Sequence, residues 1–191
     1  MTLVLASTSP RRRQLLAMLG TRFELESPSV DESAFDDAAS PDRLVMRLAE
    51  AKARDVAARR PHDVVVGADT VVVLDGQILG KPRDREEARR MLTRLSGRTH
   101  QVWTGVAVVH LVAGRVAVEA ERTDVTFRAL SADEVDRYVH LGEGMDKAGA
   151  YAVQGVGAVF VERLEGCYFN VVGLPLARLH RMLEGFGLSL W

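Results

Sequence analysis

The first twenty residues most constrain the fold, because they predict a strand, a tight loop and a helix in immediate succession. Leu3–Ala6 is a short apolar run typical of a buried strand. After a hydroxyl-rich loop, Ser9 is a favourable N-cap and Pro10 suits the first helical position. Leucines then recur at helical spacing until Gly20, a natural C-terminal stop. The pattern favours a fold in which helices pack against a sheet.

The predicted helix carries Arg11, Arg12 and Arg13 in its first turn, where the helix dipole disfavours positive charge. The free N–H groups at a helix N-terminus favour an anion instead. Two interpretations are open: the loop binds a phosphate that resolves this conflict, or the three arginines form an ordinary solvated turn. The residues alone give neither interpretation more weight.

The rest of the chain mixes strands and helices without strict alternation. Ser40-Pro41 predicts the start of a helix that runs to about Arg60, and Val64–Ala68 predicts a buried strand that ends at Asp69-Thr70. The other predicted strands are Arg22–Glu26, Val71–Leu74, Gln77–Leu79, Gln101–Val112, Arg115–Arg128 and Ala158–Leu164, and the other predicted helices are Asp84–Leu95, Ser131–Leu141 and Pro175–Leu183. We expect an α/β fold, with a central mixed sheet flanked by helices and two lobes around a cleft.

Composition excludes several classes of partner and site. The net charge of −1 over 191 residues gives no reason to expect a nucleic-acid or membrane partner. Cys167 is the only cysteine, which excludes an internal disulfide and a metal site built from cysteines. No apolar run reaches the ~18 residues of a membrane span, and the N-terminus lacks the layout of a signal peptide. We therefore expect a cytoplasmic protein.

Asp69 is the most informative carboxylate, because it follows an apolar strand at the place where open α/β sheets put ligand sites. A charge there needs a partner: a metal, a lysine or a set of N–H donors. The alternative is an aspartate that starts a turn and bonds to its own backbone. That alternative is common for aspartate in general, but weaker after a run of three valines.

Glu32, Lys52 and Lys81 are similar candidates, each near a strand end or against an apolar helix face. Each could equally be a surface residue. Together with Asp69 and the arginines of the first helix, they supply the cations and carboxylates needed to bind a polyphosphate with a divalent ion. Hard oxygen ligands suit Mg²⁺ or Mn²⁺.

Other nucleotide and hydrolase motifs are missing from the sequence. It contains no P-loop, no complete dinucleotide-binding glycine pattern and no G-x-S-x-G. The five histidines are scattered, without the spacing of a zinc site. The sequence therefore does not match these common classes.

Eight short motifs, in order along almost the whole chain, carry a family resemblance: Ala6–Arg12, Val30–Glu32, Gly67–Val72, Leu79–Pro82, Ser96–His100, Trp103–Val106, Asp146–Tyr151 and Asn170–Pro175. Together they resemble the Maf family of nucleotide pyrophosphatases, historically called septum formation inhibitors. The resemblance implies one domain over residues 1–191, with a two-lobed fold of the inosine-triphosphate-pyrophosphatase type and an active-site cleft. It also implies a divalent metal and a homodimer.

The implied reaction is cleavage of a nucleoside triphosphate between its α and β phosphates, which gives the monophosphate and pyrophosphate. The expected substrates are dTTP and UTP, and modified pyrimidine nucleotides are further candidates. Two alternatives stay open: a 7-methyl-GTP pyrophosphatase, and a regulator of cell division that senses a nucleotide without hydrolysing it.

The resemblance also assigns roles to residues near the phosphates. Arg11 and Arg12, with Ser9 and the helix N-terminus, would hold the triphosphate. Lys52 and Lys81 would neutralise charge near the scissile bond.

Two carboxylates and three further positions complete the implied site. Glu32 would help to hold the metal, and Asp69 would accept a proton from water or act mainly as a metal ligand. Arg11, Thr70 and Gln154 match the subgroup that resembles dTTP and UTP pyrophosphatases. A glutamine amide offers both a donor and an acceptor to the edge of a pyrimidine.

Overall fold

The computed structural model describes residues 1–35 and 40–191. Its strands are β1 (Leu3–Ala6), β2 (Glu24–Glu26), β3 (Val64–Leu74), β4 (Gln77–Leu79), β5 (Thr99–His110), β6 (Arg115–Phe127) and β7 (Val161–Glu165). Its α-helices are α1 (Pro10–Met18), α2 (Pro41–Arg59), α3 (Arg85–Leu95), α4 (Ala132–Leu141), α5 (Tyr168–Val172) and α6 (Leu176–Glu184). Short 3-10 helices cover Glu32–Phe35, Ala148–Ala150 and Gly155–Phe160.

The seven strands form one mixed sheet in the order β2-β1-β3-β5-β6-β7, with β4 paired to β3. Strand β1 runs parallel to both β2 and β3, and its register with β3 extends from Leu3 opposite Val64 to Ala6 opposite Gly67. Strands β4 and β7 are antiparallel to their partners β3 and β6. The predicted fold class, α/β with a central mixed sheet and helices packed on it, is confirmed.

The chain divides into two compact units. The first comprises Met1–Asp69, Thr104–Glu121 and Gly173–Trp191, and the second comprises Thr70–Trp103 and Arg122–Val172. Strands β3, β5 and β6 each contribute residues to both units. The single domain over residues 1–191 stays a prediction.

In the first unit, helix α2 lies directly on strands of the sheet. Its residues Ala49 and Ala53 belong to one buried cluster with Val4 of β1 and Val65 of β3. At Gly67 of β3, an added Cβ would come within 2.2 Å of the carbonyl oxygen of Ala49. Small residues on both surfaces therefore allow the helix backbone to approach the strand closely.

The second unit has its own core, in which α3 and α4 contribute Leu92, Leu95 and Tyr138. Two of its polar side chains, His100 and Tyr151, are buried and joined by a hydrogen bond of 2.8 Å between Nε2 and the hydroxyl. Burial lowers the pKa of His100 to about 4 and raises the pKa of Tyr151. The histidine is therefore held neutral inside the core.

Several element boundaries differ from the predictions, and one short helix was missed. Strand β3 continues through Asp69 and Thr70 to Leu74, so the predicted strand end at Asp69-Thr70 is wrong. Strand β7 begins at Val161, not Ala158, because Gly155–Phe160 forms a 3-10 helix. Helix α5 was not predicted from the sequence, since five residues show too little periodicity.

Candidate active site

Lys52 is the centre of a charged cluster in the first unit. It lies on the same face of α2 as Leu48 and Val56, one turn away on either side, and this face is buried. Its side chain is 9% exposed, and its Nζ lies 2.6 Å from Oδ1 of Asp69 and 2.6 Å from Oε1 of Glu32. One buried ammonium group is therefore shared by two carboxylates.

Asp69 is a buried strand residue and not the first residue of a turn. It lies in β3, two residues beyond Gly67, the last position paired with β1. Because its side chain is only 12% exposed, its charge needs a nearby cation, which Lys52 supplies. The alternative interpretation, an aspartate that starts a turn and bonds to its own backbone, is wrong.

Glu32 reaches the same lysine from the loop that follows β2. It is the first residue of the 3-10 helix Glu32–Phe35, and its side chain is 53% exposed. The two carboxylates differ strongly in exposure, although they share one partner. Asp69 is fixed in the sheet, whereas Glu32 lies at the solvent side of the cluster.

The loop before α1 is held by its own hydroxyl groups. The backbone N–H of Ser9 donates to Oγ of Ser7 at 3.1 Å, and Oγ of Ser9 accepts a longer bond of 3.5 Å from the N–H of Arg12. The backbone N–H of Ser7 also donates to the carbonyl of Glu26 in β2. Ser9 is thus the N-cap of α1, as its sequence position predicts.

The three arginines of α1 have different environments. Nε of Arg12 donates to the carbonyl oxygen of Gly173 at 2.8 Å. Burial lowers the pKa of Arg12, while the negative charges of Asp69 and Glu32 act in the opposite direction. Arg12 therefore belongs to the same electrostatic cluster as Lys52, so the solvated-turn interpretation is wrong for this arginine.

The neighbours of Arg12 complete the first turn of the helix. Arg11 is half-buried, and its positive charge lowers the pKa of Arg12 further. Arg13 is exposed, as a solvated turn would have it. The structure therefore brings Arg12, Glu32, Lys52 and Asp69 together in the first unit, and Ser9 and Arg11 lie beside Arg12 at the start of α1.

Three other predicted residues belong to the second unit. Thr70 follows Asp69 in β3 and is half-buried, and Gln154 is half-buried just before the 3-10 helix Gly155–Phe160. Lys81 is exposed in the loop after β4. The carbonyl of Gly80, beside Lys81, accepts a hydrogen bond from the N–H of Gly149 at 3.1 Å. The roles of these three residues remain predictions.

Sequence analysis did not single out Gly173 or Glu143, which both hold parts of the predicted site. Gly173 provides the carbonyl that orients Arg12. The one sequence signal that could have pointed to Gly173 is its position inside the Asn170–Pro175 motif. Glu143 accepts hydrogen bonds from the backbone just after Gln154, and an isolated glutamate in a glycine-rich loop gives no such clue.

A divalent cation fits the carboxylates of the first unit. In residues 1–35 and 40–191, no group of three or more His, Cys, Asp or Glu side chains could hold a metal by itself. Glu32 and Asp69 nevertheless converge on one position of positive charge, that of the Lys52 ammonium. Two carboxylates are a typical protein contribution to Mg²⁺, which takes its remaining ligands from water and substrate phosphates.

A family model described as Maf-like protein matches residues 2–186. The chain belongs to the Maf family. Its curated relatives include a dTTP/UTP pyrophosphatase from Moorella thermoacetica, 52% identical over 99% of this Maf chain and 97% of that protein. Another dTTP/UTP pyrophosphatase, from Pelotomaculum thermopropionicum, is 53% identical over 97% of this chain and 96% of that protein. The family resemblance predicted from the motifs is confirmed.

A solved structure also aligns with this Maf chain over nearly its full length. It is a nucleoside-triphosphatase, or dITP/XTP pyrophosphatase, from Mycobacterium abscessus, with a TM-score of 0.49 and 16% identity, and the alignment covers 97% of this chain and 98% of that chain. The strands and helices described above define the α/β fold class of this chain.

Across the described part of the Maf chain, none of the helices combines the length and the apolar character that crossing a membrane requires.

Proposed function

We propose that this chain is a dTTP/UTP pyrophosphatase, a hydrolase that acts on an acid anhydride. Water cleaves the link between the α and β phosphates, and the products are the nucleoside monophosphate and pyrophosphate. The observation that carries the proposal is the buried Lys52 shared by Glu32 and Asp69, beside Arg12 of α1. Relatives that align over nearly the whole chain are named dTTP/UTP pyrophosphatases.

The start of α1 binds the triphosphate in this proposal. Arg11 and Arg12 supply guanidinium groups, which bind phosphate oxygens through charge-assisted and often bidentate hydrogen bonds. Ser9 and the N-terminus of the helix add donors and a favourable dipole. The bond from Arg12 to the carbonyl of Gly173 fixes the guanidinium plane before substrate arrives. This preorganisation avoids ordering a long side chain during binding.

Lys52 and Lys81 neutralise negative charge that develops near the scissile bond. Lys52 is suited to this role because it is already buried and held by two carboxylates. Lys81 is assigned by the family resemblance, and its exposed ammonium is accessible to a ligand.

Asp69 accepts the proton of the attacking water, or orients that water by holding a metal. Its buried carboxylate, fixed in β3, can do either. Mg²⁺ or Mn²⁺ would be held by Glu32 and Asp69 and, when bound, would neutralise charge on the phosphates. The choice between the two roles of Asp69 is settled by titrating the metal against an Asp69→Asn variant.

Gln154, with Thr70 and Arg11, selects the pyrimidine base in this proposal. The assignment rests on the match to the dTTP/UTP subgroup, and the donor and acceptor of the Gln154 amide suit a pyrimidine edge.

A homodimer is part of the same proposal, and sedimentation equilibrium of the purified chain tests it.

A substrate panel tests the proposed reaction. The purified chain is incubated with dTTP, UTP and 7-methyl-GTP, with Mg²⁺ or Mn²⁺ or with a chelator, and the products are identified by ³¹P NMR. We expect dTMP and UMP with pyrophosphate, and no turnover in chelator. Release of orthophosphate with a nucleoside diphosphate would overturn the proposed reaction. Preferred turnover of 7-methyl-GTP would overturn the proposed substrate class. Tight nucleotide binding without turnover would indicate a protein that senses the nucleotide.

The variant Asp69→Asn keeps the shape of the side chain but removes its charge and basicity. We expect kcat to fall by about a hundredfold or more, the usual scale for loss of a general base, while KM changes much less. A defect that shrinks as Mn²⁺ is raised would assign Asp69 mainly to the metal. Full activity at ordinary metal concentration would remove Asp69 from the mechanism.

A further inference from the structure

Glu143 is a half-buried carboxylate, outside the catalytic cluster, that holds the backbone after Gln154. It lies in the loop after α4. Its Oε1 accepts a hydrogen bond from the N–H of Val156 at 3.0 Å, and its Oε2 accepts one from the N–H of Gly157 at 2.9 Å. Both N–H groups belong to the first turn of the 3-10 helix Gly155–Phe160, so one carboxylate caps the helix that begins directly after Gln154.

Tyr138 of α4 extends this arrangement to the other side of Gln154. Its hydroxyl is a hydrogen-bond partner of the Glu143 carboxylate, and it accepts a bond from the N–H of Ala152 at 3.1 Å. Tyr138 is only 2% exposed, and it is packed in the core of the second unit. The backbone is therefore held two residues before Gln154 and two residues after it.

The backbone at Gly155 approaches the Glu143 carboxylate closely. Gly155 has a φ of +68°, and a Cβ added there would lie 2.0 Å from Oε1 of Glu143. Only glycine allows the chain both this conformation and this close approach. The loop on the other side is fixed as well, because Nζ of Lys147 donates to the carbonyl oxygen of Glu143.

The charged form of Glu143 is the form that these contacts require. Burial raises the pKa of this carboxyl, but hydrogen bonds from Tyr138 and from the N–H groups of Gly157 and Val156 outweigh that effect and lower it. A carboxylate can accept both N–H groups at once, whereas an amide at the same position offers only one acceptor oxygen.

Gln154 itself lies between the two held points. It precedes the 3-10 helix as its N-cap residue, but its side chain makes no capping hydrogen bond, and the residue is half-buried. Its backbone is thus constrained on both sides, while its amide is not used in capping the helix.

We propose that Glu143, together with Tyr138, is the positioning group for Gln154, and that it fixes the Gln154 amide where it meets the edge of the pyrimidine. This inference rests on the proposed function, in which Gln154 selects the base. Glu143 acts through Gln154 and does not touch the phosphates or the attacking water. It therefore controls which base is accepted more than how fast the anhydride is cleaved.

The test compares base selectivity in Glu143→Ala and Glu143→Gln with the wild-type chain. We expect Glu143→Ala to lower kcat/KM for dTTP at least about tenfold, mainly through KM, because effects confined to binding appear there. The kcat/KM for dGTP should change less than about threefold, because a purine base does not use the contact between Gln154 and the pyrimidine edge. Glu143→Gln, which retains one acceptor, should fall between wild type and Glu143→Ala. Glu162→Ala is the matched control, since Glu162 is an exposed glutamate of the same unit, and it should leave both values unchanged.

A double-variant cycle separates positioning from a general structural role. If Glu143 acts through Gln154, then Glu143→Ala should cause little further loss of dTTP selectivity in a Gln154→Ala background. Hydrogen exchange of the wild-type chain and of Glu143→Gln should show faster exchange at the Val156 or Gly157 amide in the variant.

Several results would overturn the inference. Equal losses for dTTP and dGTP, additive losses in the double variant, or unchanged exchange at both amides would each reduce Glu143 to a structural residue. If Glu143→Ala does not fold, the same comparisons are made with Glu143→Gln. A wild-type chain that hydrolyses neither dTTP nor UTP would refute the proposed function instead, and the exchange experiment would still test whether Glu143 holds the segment.

Discussion

Replacing Lys52 by methionine tests whether the lysine holds Asp69 in place electrostatically. Methionine has a similar length and keeps the apolar contacts of the lysine side chain, but it removes the ammonium group that both carboxylates share. Asp69, which is 8% exposed as a residue, would then be a buried carboxylate without its lysine. The double substitution Lys52→Met/Asp69→Asn removes the charge of both partners.

The burial of the ion pair between Lys52 and Asp69 sets the expected loss in the free energy of unfolding. Breaking a buried ion pair by removing one partner costs about 3–5 kcal/mol, because the remaining charge stays buried. Glu32, whose side chain is 53% exposed, can be solvated by water and should add little. We therefore expect Lys52→Met to lower the free energy of unfolding by about 3 kcal/mol, which corresponds to a Tm lower by about 6–12 °C in a domain of this size.

Urea unfolding at pH 7 measures the effect, with Lys81→Met as the control because Lys81 is an exposed lysine. The control should stay within about 0.5 kcal/mol of wild type. Asp69→Asn alone should cost about 1–2 kcal/mol, since Lys52 retains Glu32. The double variant should be more stable than the sum of the single losses predicts, by about 2 kcal/mol. Strict additivity, or a loss below about 1 kcal/mol in Lys52→Met, would refute a strong ionic link between Lys52 and Asp69.

Two further predictions concern the core of the second unit and the start of α1. Burial lowers the pKa of His100 to about 4, so between that pH and about 6.5 the unfolded chain binds the proton more readily. This histidine should therefore not reduce the free energy of unfolding above pH 7, but should reduce it by about 2–3 kcal/mol as the pH falls to about 4.5. In urea unfolding, the free energy of unfolding of His100→Gln should depend less steeply on pH than that of the wild type. The same pH dependence in both proteins would contradict this prediction. Arg11→Ala should lower kcat/KM for dTTP at least about tenfold, because a charge-assisted contact with the substrate is lost. Arg13→Ala, at an exposed position, should not lower it. Equal effects of the two substitutions in steady-state assays would show that Arg11 is an ordinary surface residue.

Much of the fold follows from local patterns. Strand β1 and the Ser9-Pro10 start of α1 lie where the sequence predicts them, because strand runs, N-caps and first-turn prolines depend on neighbouring residues alone. The same local logic fails at Asp69, where a charged residue predicts the end of a strand. The strand continues because a lysine from another element neutralises that charge inside the structure.

The sequence by itself identified Lys52 and Asp69 as unusual, because Lys52 puts a charge against an apolar helix face and Asp69 puts one directly after an apolar strand. Only the tertiary structure decided that they meet on one ammonium group, that Arg12 is oriented by Gly173, 161 residues away, and that Glu143 holds the backbone beside Gln154. The physical reason is the range of the interactions involved. Capping and periodicity act within a few residues, whereas burial and ion pairing depend on which elements pack together, and the spacing of residues along the chain does not specify that packing.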